Sequence, residues 1–481
     1  MFIVTKGILK VRKIDTSDDY LVAGRNVPWI LLFATMGATI IGGGYSVGAV
    51  GKTYEWGILM LLVSTGGYFH FIFSGLVVAP KFREAELYTV AGYFGHRFGE
   101  KPRFLVLILS LLFSVFIVAA QMAAIGTILS TLLPTTADSL TVIRWSIAIG
   151  GVLVIAYSTA GGLLAVIYTD IYQFIVLFIG FIITLGFITP NLLDSWKTAT
   201  DSVPPEFFML EGGKGWIFLV TTFLAFLLGE TFAPGYATRY CIGKDIRHTR
   251  WGIAGVGFFL ALTFPAILFF IALYGRLTFP NIEPQQALPM VIRELHNPVI
   301  SGIMIAALLS AVMSSADSAL NSSTAIFVKD LFEHQLGWSK KGDRKLLKIA
   351  RICTAILGAA ATIIAVVWSD IIELLLFTYH TWAPAIILPV VVGTMGKDKS
   401  AAMTRNITLT ILISVGITFV YRFTSHAENL DPAVFGVFLS IVVFLLLRFA
   451  DVLLGIRHDI PRDPSGDRPP FYRKLRSMQE K

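Results

Sequence analysis

Between Ala311 and Ser322 the chain reads AVMSSADSALNS, a run of hydroxyls with one carboxylate inside an otherwise apolar stretch. An α-helix turns by about 100° per residue, so Ala311, Ser314, Ser315, Ser318 and Ser322 fall on one face, with Asp317 and Asn321 at its edge. Hydroxyls beside unpaired main-chain carbonyls are the ligands a hard monovalent cation takes. Any single serine could instead bond back to its own helix or glue neighbouring helices together. The carboxylate resists that explanation, because an aspartate deep in a bilayer needs a partner or a task.

A second carboxylate, Glu230, lies in Gly229-Glu230-Thr231-Phe232-Ala233-Pro234-Gly235-Tyr236 and is suited to meet an amino group. Ser46, Gln121, Phe232 and Tyr236 are candidate cavity linings, as are Tyr379, His380 and Trp382, which sit too deep in their apolar stretch for an aromatic belt. For each of these, core packing is the alternative. Two places look unable to stay helical. Gly42-Gly43-Gly44 joins three poor helix formers, and Gly229, Pro234 and Gly235 surround a residue type that removes an amide donor. Close helix packing is the other use of such glycines. A matched pair of breaks favours a cavity, since unwound backbone inside a bilayer is tolerated only around one.

The elements that carry these groups are membrane spans. Of the 481 residues, 55% are hydrophobic and 15% charged, where a soluble chain carries about 25% charged. Twelve apolar stretches are expected, at 29–51, 56–80, 104–132, 143–160, 164–190, 216–235, 251–275, 298–328, 348–368, 370–394, 402–421 and 433–450. Most are near the roughly 20 residues that cross a hydrocarbon core. The composition excludes a soluble enzyme. The net charge of +8 does not call for nucleic acid. With the N-terminus inside, the inner segments collect most of the Lys and Arg, which fixes both termini in the cytoplasm of a multi-pass protein of the cell membrane. Ser46–Thr53 ends in Gly-Lys-Thr but has serine where a phosphate loop needs its first glycine, so no nucleotide partner is expected. Cys241, expected on an inner loop, and Cys353, within a span, suggest neither disulfide nor metal chemistry.

The breaks fall in spans one and six. Five spans is an odd number, so spans 1–5 and 6–10 would form inverted repeats. The expected fold is an all-α membrane protein with a five-plus-five inverted repeat and two trailing helices. Its parts are a cytoplasmic lead-in (1–28), a ten-helix core (29–394, halves 29–190 and 216–394), the trailing pair (395–452) and a basic cytoplasmic tail (453–481).

Four stretches, in order, resemble the sodium:solute symporter family: Asp18–Pro28 (DDYLVAGRNVP), Gly37–Gly51 (GATIIGGGYSVGAVG), Gly161–Gln173 (GGLLAVIYTDIYQ) and the span-eight segment SAVMSSADSALNSS. The family usually carries a further helix ahead of the lead-in, of which Met1–Leu9 resembles a stub. The resemblance implies a Na+ site formed by the carbonyls of Gly42, Tyr45 and Ala311 and the hydroxyls of Ser314 and Ser315. It implies that Asp170 marks the ion's cytoplasmic exit, or a second Na+ shared with Asp317 and Ser318. The GGGY and SSADS segments are similar to the choline-carrying branch, but 229–236 contains no tryptophan for an ammonium cage, so choline is not expected. The function implied is sodium-driven import of a small organic solute. Glu230 favours an amino acid such as proline, or another amine, over a monocarboxylate. A channel would need a continuous polar pore, and a sensor would need a signalling domain larger than the tail.

Overall fold

The computed structural model describes residues 25–84, 89–132, 139–160, 163–194, 201–337, 343–395 and 398–456. Most of the lead-in and the tail from residue 457 lie outside them, as do Gly161 and Gly162. Among the described residues there are helices and no strand. Nine of the described helices are long and apolar enough to cross a bilayer, and two further described pairs do so together as bent spans. Ser139–Ala160 supplies the remaining helix.

In chain order, span one is Trp29–Ile40 with Gly44–Trp56, span two Ile58–Glu84, span three Glu100–Ser130 and span four Ser139–Ala160. Span five is Leu163–Asp194, span six Trp216–Gly229 with Pro234–Tyr240, span seven Ile246–Thr278 and span eight Pro298–Gln335. Spans nine to twelve are Asp343–Val367, Ile371–Met395, Ala401–Tyr421 and Pro432–Leu453. Each expected stretch corresponds to one of these spans, and the two breaks fall where the glycines and proline put them. Span one bends by 60° and span six by 50°.

Several ends carry the capping chemistry that the first turn of a helix requires. The side chains of Asp245, Asn297, Ser400 and Asp431 accept from amides at the starts of spans seven, eight, eleven and twelve. Pro265, Pro384 and Pro389 lie inside helices, so proline alone does not make the span-six break. Outward faces are apolar. Leu262, Val299, Val367 and Val452 are each more than 70% exposed, which lipid tolerates and water does not.

The trailing pair is joined to itself by polar contacts. Asp451, buried on span twelve, accepts from Arg405 and, at 2.7 Å, from Asn406 Nδ2, both on span eleven. Alanine at 451 strands both donors and should destabilise the protein by about 1–3 kcal/mol. Asparagine, which still accepts, should do less harm. Melting temperatures in detergent check the order wild type, Asp451→Asn, Asp451→Ala.

Candidate functional site

The break in span one is pinned by its neighbours. Gly43 N donates to Gln121 Oε1 of span three at 2.7 Å. The Gly42 carbonyl accepts from Ser46 N at 3.0 Å and Ser46 Oγ at 2.6 Å. Ser315 Oγ of span eight reaches the end of the outgoing half-helix, 3.0 Å from Thr39 O and 3.4 Å from Ala38 O, while lying 3.1 Å from Ala311 O. Three carbonyls therefore lie within 3.4 Å of one hydroxyl. Of the expected ion ligands, Ala311 and Ser315 meet span one there, but opposite Ala38 and Thr39 rather than Gly42 and Tyr45. The physical reason is that Gly42 O is already engaged by Ser46. The Tyr45 ring packs 5.3 Å from Tyr68 and 6.3 Å from Phe226.

Ser314 Oγ donates to Asp170 on span five, whose other oxygen accepts from Thr35 Oγ1 at 2.5 Å. Asp170 is fully buried and 3.6 Å from Arg239 Nη2. The same guanidinium donates to Ser318 Oγ at 2.6 Å. Asp317 is buried close by and accepts from Asn321 at 3.3 Å. The three groups considered for a second ion thus surround a buried cation of the protein itself. Sequence reading placed Arg239 on an inner loop by ending span six at residue 235. The signal that could have corrected this is Pro234, which is a helix-starting residue at the first helical position. The inner half of span six runs on to Tyr240, and Cys241, which caps it, is buried rather than on an open loop.

The span-six break sits beside this cluster. Phe232 adopts a left-handed backbone (φ 62°), a strained conformation for a bulky residue and common at functional sites. The Thr231 carbonyl freed there accepts from Trp382 Nε1 of span ten at 3.1 Å. Glu230, 3% exposed, accepts from Tyr379 OH through one oxygen and from Tyr236 OH at 3.2 Å through the other. Gly229 leaves the room that the Tyr379 ring fills.

Between the two breaks lies a small cavity of about 50 Å³, room for a few waters rather than an organic solute. Tyr45, Gln121, Glu230, Tyr236, Ser315 and Ser318 line it. Four other expected lining residues are elsewhere. Ser46 bonds back along its own helix, and Trp382 holds the break. Phe232 faces a cleft shared with Phe82 on span two, because its left-handed backbone turns it out of the cavity. His380 lies 3.5 Å from Asp431 in a separate cleft of about 530 Å³, lined also by Lys52, Trp56, Lys214 and Arg422. Val27 bridges to Gly243, with Val27 N on Ile242 O at 3.1 Å and Lys244 N on Val27 O at 2.8 Å, and Arg83 Nε donates to Gly243 O at 2.6 Å.

The model of the sodium:solute symporter family matches residues 20–424. The chain belongs to this family. Among similar curated relatives is the high-affinity choline transporter 1 of Caenorhabditis elegans, 26% identical over 368 residues, covering 73% of this chain and 62% of the relative. The sodium/glucose cotransporter of Vibrio parahaemolyticus is 25% identical, covering 73% and 69%. The high-affinity proline transporter PutP of Bacillus subtilis (strain 168) is 25% identical, covering 78% and 80%. The chain spans about three-fifths of the length of the choline transporters it matches. In structure it is similar to a Na+-coupled sialic acid symporter in a substrate-bound outward-open state. The TM-score is 0.75 at 19% identity, with 94% of this chain and 97% of the other covered, which establishes a shared fold.

Proposed function

We propose that this protein is a sodium-coupled symporter that imports a small organic solute bearing an amino group, an amino acid such as proline or a related amine. The observation that carries this reading is the convergence of the Ala38, Thr39 and Ala311 carbonyls and the Ser315 hydroxyl at the span-one break, next to a cavity that holds Glu230. Those ligands are neutral oxygens, which suit Na+, and Ser314 stands beside them to complete the set. An ion there would hold spans one and eight together while the solute sits between the breaks. Two of the relatives named above are, by their names, transporters of choline and of proline, solutes that share a positively charged nitrogen. The cell membrane, with both termini cytoplasmic, is the setting, and the sodium gradient and membrane potential supply the work. One charge crossing 100 mV yields about 2.3 kcal/mol. Spans one to five and six to ten act as the two inverted halves of the transport core.

Asp170 serves as the ion's way out. Its place at the end of a Ser314 contact, with Arg239 between it and Ser318, supports a release path over a second sodium. A monocarboxylate is the second reading. It is favoured by Lys52, Lys214 and Arg422 in the His380 cleft and by the tyrosine hydroxyls that already satisfy Glu230.

The test is uptake into proteoliposomes of a labelled panel of amino acids, amines and monocarboxylates with sodium or potassium outside. Wild type should take up one class in sodium only. The Ser314→Ala/Ser315→Ala double variant should lose about 100-fold in sodium affinity, the effect of removing two ion-directed hydroxyl interactions. Uptake indifferent to sodium and to both serines would show those hydroxyls to be helix glue alone.

A further inference from the structure

We infer that Arg239 is the tethered counter-cation of the ion-release path: its guanidinium takes up the charge of Asp170 when sodium has left, and so ties the inner half of span six to spans five and eight. This rests on the reading of Ser314, Ser315 and Asp170 as the ion's site and exit.

Arg239 is 0% exposed, on a half-helix of seven residues. A buried arginine is costly unless its charge is met, so its partners define what it does. Nη2 reaches Asp170 on span five at 3.6 Å and Ser318 on span eight at 2.6 Å, and Nη1 reaches Gly235 O of its own half-helix at 3.3 Å. Its contacts therefore join three spans that must part if the inner side is to open. Asp170 in turn receives Ser314 Oγ, one of the hydroxyls beside the ion point. An ion on Ser314 is thus two contacts away from Arg239. The solute side is equally near. Tyr236, which donates to Glu230, lies three residues before Arg239 on the same half-helix. Ion and solute both bear on this one short element, and Arg239 is the group that anchors it.

The anchor also explains charge. Asp170 would be an uncompensated buried anion after sodium departs, and a bilayer makes that state expensive. With Arg239 beside it, the emptied path is neutral at that point. The protein can then return without a cation in the exit, and opening to the inside without solute is opposed by the ion pair. Cys241 reports on that opening. It is fully buried two residues beyond Arg239, behind the Val27–Gly243 bridge and Arg83.

The experiment uses full-length protein in vesicles, in a Cys353→Ser background. One readout is alkylation of Cys241 by a membrane-impermeant maleimide from the cytoplasmic face, in sodium-free buffer. The other is ²²Na+ flux with no organic solute present. Arg239→Gln should raise both by about tenfold, which corresponds to ~1.4 kcal/mol of lost closure. Arg239→Lys, which keeps the charge, should recover most of the difference. Asp170→Asn should accelerate alkylation alike, and the double variant should be no faster than either single, as expected for two members of one pair. Wild-type rates in Arg239→Gln would overturn the inference. So would Arg239→Lys behaving as Arg239→Gln, or additive effects in the double variant. Should glutamine at 239 prevent folding, Arg239→Lys and Asp170→Asn decide it by the same two readouts. The alkylation arm contains no sodium, so it fails or succeeds apart from the sodium-symport reading, whose failure would show as wild-type uptake that ignores sodium.

Discussion

Glutamine at position 230 will weaken uptake of an amine-bearing solute while leaving the protein folded. Glu230 is buried at the span-six break, and among the described residues it makes no ion pair. Its two oxygens are met by tyrosine hydroxyls from spans six and ten, which makes the site tolerable when empty but supplies no cationic partner. An ammonium entering the cavity would supply the missing charge, and a charge-assisted hydrogen bond is worth about 1.5–3 kcal/mol. Removing the charge should therefore weaken amine binding by roughly 10- to 100-fold. The amide still accepts from one tyrosine, and rotation of the other hydroxyl can satisfy its NH2, so folding should survive. Proteoliposome uptake decides the cargo class. A variant that loses amine uptake supports the amino-solute reading, and one that gains monocarboxylate uptake supports the anion reading.

Alanine at Gly42 or Gly43 will stop transport through shape. A Cβ at Gly42 would stand 2.5 Å from Ser315 Oγ and 2.8 Å from Gln121 Oε1. A Cβ at Gly43 would strike the Ala124 Cβ and come within 3.1 Å of Gln121 Oε1. Spans three and eight press against the break so closely that neither position has room for a methyl. Overpacking of this kind costs about 1–3 kcal/mol, and here the atoms displaced are Ser315 Oγ and the Gln121 acceptor of Gly43 N. Gly42→Ala should lower sodium affinity by about tenfold or more, because the hydroxyl aimed at the ion point has to move. Gly43→Ala should reduce the maximal rate more than the affinity, because it disturbs the bend itself. Sodium titrations of uptake separate the two. A fully active Gly42→Ala would show that Ser315 is not at the ion.

Much of this was legible because it is carried by composition. Apolar stretches near 20 residues are spans, and the clusters Gly42-Gly43-Gly44 and Gly229 with Pro234-Gly235 marked the two that bend. The polar face of span eight was readable from its 3.6-residue period, and Ser315 lies on it where it meets span one. What sequence could not provide was the partner across a helix interface. The carbonyls nearest Ser315 belong to Ala38 and Thr39, which carry no signal in their side chains. Arg239 was counted with the loop cations because charge statistics assume that arginine avoids the bilayer, and a buried pair with Asp170, 69 residues earlier in the chain, defeats that assumption. The absence of tryptophan from 229–236 argued against an ammonium cage, yet the aromatic groups nearest Glu230 come from three spans, as Tyr45, Tyr236 and Tyr379, so no single segment could display them.

The two hydrogen bonds from Gly43 N to Gln121 and from Trp382 to the Thr231 carbonyl have a further consequence. Each breakpoint hands one orphaned backbone group to a side chain on a separate, continuous span. A helix kinked by melting would have to re-solvate its amides each time it flexed, in a medium with no water to offer. A pinned kink can instead swivel about the pin, and the resistance it meets comes from side chains changing neighbours. Such a joint has low friction and keeps its shape through many cycles, as a hinge used on every turnover must.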